Sequence, residues 1–89
     1  ANAQYWIAES NYFVHNYRLS LKEFRKLLTL YPNSRKVADA MLKIGYTHYE
    51  LGEWTKARRA LQELMNRFPR TRNANSAKAR LRIMKNEGH

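Results

Sequence analysis

The chain has 89 residues, enough for one small domain, and 44% of them are apolar, as is ordinary for a folded protein. It has no cysteine, which excludes disulfides and thiol catalysis, and no apolar run of the roughly 18 residues that a membrane span requires. Its formal net charge of +10 is large for this size and favours association with acidic partners.

Two helices are predicted in the first part of the chain. Apolar residues recur every three or four positions over residues 2–14 and again over residues 17–30, which is the helical period. His15 and Asn16 interrupt the pattern once, and Asn16 is a candidate N-cap for the second helix. Pro32 then closes the unit, because proline cannot continue a helix and disfavours helix at the preceding residue.

Three further helices are predicted in the rest of the chain, over residues 35–50, 54–67 and 72–86. Ser34 and Thr71 precede two of them and are candidate N-caps. Gly52 lies in the intervening turn, where a positive φ costs glycine least. No segment alternates apolar and polar residues as a strand does, so the predicted fold class is all-α.

A short phrase occurs twice, as YPNSR at residues 31–35 and as FPRTR at residues 68–72, 37 positions later. Both phrases stand between predicted helices and together hold the only two prolines of the chain. Superposing residues 5–45 on residues 42–82 gives six identities, and a fixed period of this length is typical of stacked helical repeats. We predict one domain of two repeats and a capping helix, over residues 1–33, 34–70 and 71–89.

The second repeat carries the residues of the tetratricopeptide pattern, which are Ile44, Gly45, Tyr49, Gly52, Trp54, Ala57, Leu61, Leu64 and Pro69. The first repeat departs from that pattern at Ala8, Asn11 and His15. This resemblance implies helical hairpins stacked as a short right-handed solenoid that binds proteins, with no cofactor and no catalysis.

Longer stretches resemble one branch of these repeats. Three stretches, ANAQYWIAESNYF, residues 31–69 and the trailing NSAKARL, are similar to the C-terminal repeats of the periplasmic Tol-Pal cell-division coordinator family (YbgF/CpoB). The resemblance implies a periplasmic protein of a Gram-negative bacterium that contacts TolA and a peptidoglycan synthase and coordinates envelope constriction during division. It also implies a longer parent chain with a trimerising coiled coil. The alternative is a scaffold of the lipoprotein type found in outer-membrane β-barrel assembly.

In stacked hairpins the first helix of each repeat lines the concave side, which predicts a tyrosine-rich groove here. The candidate groove residues are Tyr5, Glu9, Tyr12, Phe13, Asp39, Leu42, Tyr46, Tyr49, Glu50 and Ile83. None is Lys or Arg, so we predict a mildly acidic groove that takes a helix or extended segment with apolar anchors and a few basic residues. An acidic peptide is not expected to fit. In the alternative interpretation, the tyrosines only pack between helices and the glutamates are solvated.

Most of the basic residues lie on the second, fourth and fifth helices, with spacings typical of solvated helix faces. No nucleic-acid motif accompanies them, so nucleic acid is not an expected partner, and an anionic surface is a lesser alternative. His15, His48 and His89 lie far apart, without an HExxH motif, and no serine has a nucleophile-elbow context. We therefore predict no catalytic, metal or cofactor site and interpret His48 as a packed core residue.

Two and a half repeats are fewer than the three or so that stability normally requires. The last helix has polar outer residues, Lys78 and Lys85, which suit a terminal position. At the other end, Ala3 is predicted to face solvent where a preceding helix would pack. We therefore expect marginal stability or self-association through the N-terminal helix.

Overall fold

The computed structural model describes all residues from Ala1 to His89 and consists of five α-helices without a strand. The helices are α1 (Asn2–Phe13), α2 (Tyr17–Leu30), α3 (Lys36–Glu50), α4 (Trp54–Arg67) and α5 (Arg72–Asn86). Each end lies within one residue of its predicted position, so the all-α prediction is confirmed. None of the five is both long and apolar enough to cross a membrane.

The helices stack as two hairpins and a final helix. α1 packs on α2, α3 packs on both α2 and α4, and α5 packs on α4. The first helices also touch one another, α1 with α3 and α3 with α5, whereas no Cα atoms of α2 and α4 lie within 8 Å of each other. The molecule therefore has two layers, and their exposed sides are here named the α1/α3/α5 face and the α2/α4 face.

The core lies between these layers and is built from apolar residues that recur at helical spacing. Phe24 and Leu27 of α2, and Leu61 and Leu64 of α4, are completely buried. Small residues let the layers approach: a Cβ atom added to Gly45 would lie only 2.5 Å from Cδ2 of Leu61. The repeated residues are thus explained by packing, because large side chains of the second helices pack against small residues of the first helices.

The three residues predicted to cap helices make different hydrogen bonds. Thr71 Oγ1 accepts a hydrogen bond from the Ala74 N–H at 3.1 Å, which confirms the predicted cap of α5. Ser34 Oγ accepts from the Lys36 N–H at 3.0 Å, but the N-cap residue of α3 is Arg35, one position after the predicted Ser34. Asn16 is the N-cap residue of α2, as predicted: its carbonyl accepts from the Ser20 N–H at 2.9 Å, although its side chain makes no capping hydrogen bond.

The turns inside the two hairpins share an unusual backbone conformation. Gly52 has a φ of 74°, and His15, at the equivalent position of the first repeat, has a φ of 67°. Glycine adopts this left-handed region freely, whereas the Cβ of histidine makes it costly. The same turn is therefore relaxed in the second hairpin and strained in the first.

Candidate protein-binding face

One ion pair and two hydrogen bonds join neighbouring helices across the α1/α3/α5 face. Glu9 of α1 forms an ion pair with Lys43 of α3 at 3.2 Å. Between α3 and α5, Asn73 Nδ2 donates to Asp39 Oδ1 at 3.0 Å, and the Tyr49 hydroxyl donates to Glu87 Oε1 at 2.5 Å. These contacts fix the three helices relative to one another, so the face is preformed.

Most of the predicted groove residues lie together on this face. Tyr5, Glu9, Tyr12, Asp39, Tyr46 and Tyr49 are joined by ion pairs, hydrogen bonds and cation–π contacts through Lys36, Lys43, Asn73 and Arg80. Glu50 lies close enough to Tyr12 for its carboxylate to raise the pKa of the Tyr12 hydroxyl. Phe13, at the end of α1, and Ile83, on α5, are exposed to solvent. Tyr5 and Leu42 are 7% and 8% exposed, which makes them core residues rather than open groove residues.

Tyr5 is buried because its ring packs edge-on against Phe24 of α2, with the ring centroids 5.7 Å apart. Its hydroxyl donates a hydrogen bond to Glu9 Oε2 at 2.9 Å, at the border of the α1/α3/α5 face. Substituting Tyr5 would therefore disturb the core as well as the face. Tyr12, Tyr46 and Tyr49 are half-buried and present part of their rings to solvent.

The prediction that this face carries no Lys or Arg is wrong. Lys36 Nζ lies 4.6 Å from the centroid of the Tyr5 ring, and Lys43 Nζ lies 5.0 Å from that of Tyr12. The guanidinium carbon of Arg80 lies 4.2 Å from the Tyr46 centroid and 4.9 Å from that of Tyr49. Cations and aromatic rings therefore alternate along the face.

The helical period itself explains this result. Lys43 follows Asp39 by four residues and precedes Tyr46 by three, so all three share one stripe of α3. Arg80 stands in the same relation to Ser76 and Ile83 on α5. Lys43 and Arg80 are therefore both i+3 or i+4 neighbours of predicted groove positions, so the helical period alone places them on this face. Because they lie within the face, the expectation that acidic peptides are excluded no longer follows.

The hydroxyls of Tyr12 and Tyr49 remain protonated well above neutral pH. Burial, followed by the nearby Glu50 carboxylate, raises the pKa of Tyr12 to about 12. The pKa of Tyr49 is raised first by its hydrogen bond to Glu87 and then by burial. Tyr12 and Tyr49 therefore present neutral phenols, which supply apolar ring area and a hydroxyl donor or acceptor.

The family model described as tetratricopeptide repeat matches residues 2–34 and residues 39–71. The chain belongs to the tetratricopeptide repeat family. Such repeats are generally non-catalytic modules for protein–protein interaction, so this domain is a protein-interaction module. No curated protein matches the chain.

The tetratricopeptide domain also contains a polar cluster that joins its two repeats. The His48 ring is 3% exposed, with Nδ1 2.8 Å from Glu53 Oε1 and Nε2 3.3 Å from an Arg25 nitrogen. Because arginine can only donate, Nε2 accepts from Arg25, and the Nδ1–H donates to Glu53. His48 is thus a packed core residue, as predicted.

Glu53 is the acidic centre of this cluster. Arg18 forms an ion pair with it at 2.8 Å. Hydrogen bonds from Arg18 first, and from His48 second, lower the pKa of Glu53 to about 2. The sequence gives no local signal for this cluster, since its members come from α2, α3 and the residue before α4. No group of three or more His, Cys, Asp or Glu side chains is placed to hold a metal ion.

Proposed function

We propose that this tetratricopeptide domain binds a protein segment on its α1/α3/α5 face and performs no catalysis. The observation that carries the proposal is the row of half-buried rings of Tyr12, Tyr46 and Tyr49. They lie on a face whose helices are joined by a hydrogen bond and an ion pair. Tyrosine offers a large, rigid contact area at low entropic cost, which suits recognition of a partner. The preformed helices reduce the ordering that binding requires.

The unpaired carboxylate of Glu50 indicates one feature of the partner, since Arg80, the other charge without an ion pair, is engaged by the Tyr46 and Tyr49 rings. Glu50 is exposed at the end of α3 and belongs to no ion pair, whereas Glu9 is engaged by Lys43. A helix or extended segment with apolar anchors for the tyrosines and a Lys or Arg opposite Glu50 would satisfy both features. This partner retains the apolar and basic character expected from the sequence.

The cellular role is proposed from sequence resemblance to the Tol-Pal cell-division coordinators. In that role the domain is periplasmic in a Gram-negative bacterium, contacts TolA and a peptidoglycan synthase, and helps to coordinate envelope constriction with wall synthesis. The alternative is a scaffold in outer-membrane β-barrel assembly. Purified TolA and a purified β-barrel assembly component, titrated separately into the domain, distinguish the two roles by which one binds.

A pair of matched charge reversals tests the binding face. Glu50→Lys should weaken partner binding about three- to tenfold, because an attraction to a basic residue becomes a repulsion. Glu63→Lys is the control, since Glu63 is equally exposed and unpaired but lies on α4. Equal affinities for TolA in calorimetric titrations of the two variants would count against this face as the site.

We also propose that the outer side of α1 mediates self-association. Ala3 is exposed, as predicted, and Trp6 and Ile7 are 57% and 50% exposed. The residues of α3 that correspond to Ala3 and Ile7 are Ala40 and Ile44, and both are buried. α1 contains a single charged residue in a chain of net charge +10, so two copies can meet there with little repulsion.

Sedimentation equilibrium tests this self-association directly. We expect the wild-type domain to dimerise with rising concentration, and Ile7→Glu to remain monomeric because a charge would be buried in the contact. Leu19→Glu is the control, since Leu19 is 45% exposed on α2, away from the contact. A wild-type domain that stays monomeric at high concentration would rule out the dimer.

A further inference from the structure

A cleft of about 310 Å³ opens on the α2/α4 face, opposite the tyrosines. It exists because α2 and α4 pack on α3 but not on each other. Its floor is apolar and consists of Leu28, Met41, Ile44 and Ala60. Its volume lies at the lower end of the range of about 300–1,000 Å³ for ligand pockets, so it suits one or two side chains.

The rim of this α2/α4 cleft is cationic. Arg25, Lys56 and Arg67 line it, and none of them has a carboxylate within the 4 Å range of an ion pair. Glu53, the nearby acid, is already engaged by Arg18 and His48, and Glu63 is the single carboxylate of the rim. Three cations therefore face one acid around an apolar floor.

Two of these cations are held in place by the cleft itself. Arg67 Nη1 lies 3.7 Å from Met41 Sδ in the floor, and Arg25 donates to Nε2 of buried His48 at 3.3 Å. Lys56 is exposed and forms no ion pair. Positioned guanidinium groups without acidic partners are well suited to capture carboxylates from another molecule.

We infer that the α2/α4 cleft is a second binding site, for a peptide segment in which one or two large apolar side chains are flanked by carboxylates. The apolar side chains fill the floor, and the carboxylates meet Arg25, Lys56 and Arg67. A nucleic acid fits less well, because no Phe, Tyr or Trp lines the cleft and the His48 ring is buried, which leaves a base no platform to stack on. A lipid chain is longer than so small a floor can cover.

A labelled hexapeptide, Asp-Glu-Leu-Leu-Asp-Glu, is the probe for this site. Titrated into ¹⁵N-labelled domain, it should produce saturable amide shifts centred on Leu28, Met41, Ile44 and Ala60. Two control peptides separate the contributions: Asp-Glu-Gly-Gly-Asp-Glu lacks the apolar anchor, and Lys-Lys-Leu-Leu-Lys-Lys reverses the charge. Both should bind at least about tenfold more weakly, since each loses one half of the recognition.

Matched variants localise the site. Lys56→Glu should weaken the probe about three- to tenfold, and Glu63→Lys, which adds a cation to the rim, should tighten it. Lys26→Glu is the control: Lys26 is equally exposed and unpaired but lies on α2 outside the cleft. Its effect should stay below about twofold, as should that of Glu50→Lys on the opposite face.

Three results would overturn the inference. Equal weakening by Lys26→Glu and Lys56→Glu would reduce the interaction to overall charge. Shifts centred on Tyr46 and Tyr49 would move the peptide to the α1/α3/α5 face. Absence of saturable peptide shifts, with cleft shifts produced instead by vesicles of phosphatidylglycerol, would assign the cations to a lipid surface.

Discussion

At the scale of single residues, the α1/α3/α5 face is organised by cations that lie over tyrosine rings. Arg80 is shared between Tyr46 and Tyr49 and has no carboxylate within ion-pair range. The rings are therefore its main partners. Such contacts orient the rings before any partner arrives, and each contributes about 0.5–1 kcal/mol at an exposed site.

Removing this cation should have a measurable cost. We expect Arg80→Gln to lower the free energy of unfolding by about 0.5–1 kcal/mol, because the ring contacts are lost. Arg82→Gln, at an exposed position of the same helix, is the matched control and should change it by less than about 0.5 kcal/mol. Urea denaturation measures both, and equal stabilities of the two variants would show that the stacking adds nothing.

Glu53 should make the stability of the domain depend on acid pH. Its folded pKa of about 2 lies below the ordinary value of 4.5, so the folded state binds the proton more weakly than the unfolded state. Its stabilising effect is therefore complete above pH 4.5 and is lost as the pH falls from 4.5 towards 2.

The comparison of Glu53→Gln with wild type isolates this effect. The variant should have a lower melting temperature near neutral pH and a weaker decline of that temperature between pH 4.5 and 2. Glu63→Gln, which removes an unpaired exposed carboxylate, should keep the wild-type slope. If Glu53→Gln showed the full wild-type decline, the ion pair with Arg18 would not contribute.

At the scale of the elements, the two hairpins share one turn geometry but not one turn residue. A left-handed conformation costs an ordinary residue about 1–2 kcal/mol, and glycine almost nothing. His15 recovers part of this by stacking its ring on Tyr17, with centroids 5.4 Å apart and planes within 16°. The first hairpin is thus the less favourable of the two at its turn.

Two substitutions at the same position separate the backbone from the side chain. His15→Gly and His15→Ala both remove the imidazole, so the difference between them reports the backbone alone. We expect the glycine variant to be the more stable by about 1 kcal/mol, since alanine retains the Cβ that opposes a positive φ. Chemical denaturation measures the difference, and an alanine variant of equal stability would contradict a strained turn.

At the scale of the whole molecule, the sequence predicts the helices better than the faces. Pro32, Pro69 and Gly52 act locally, so the ends of the helices follow from neighbouring residues. The burial of Tyr5 depends on Phe24 of another helix, and the cluster around Glu53 depends on residues of three elements. Such long-range contacts leave no periodic trace in a single sequence.

The two layers give the domain two surfaces of different chemistry. The α1/α3/α5 face alternates tyrosines with charges of both signs, whereas the α2/α4 cleft has an apolar floor and an excess of cations. They lie on opposite sides of a flat molecule of 35 × 29 × 16 Å. The two proposed binding sites therefore do not overlap in space.

Amide shift mapping of the labelled domain, saturated with TolA or with an envelope protein that it captures, tests the binding face most directly. We expect the largest shifts at Tyr12, Tyr46, Tyr49 and their neighbours on α1, α3 and α5. Shifts confined to α2 and α4, with the tyrosine amides unchanged, would contradict the α1/α3/α5 face as the protein-binding site of this domain.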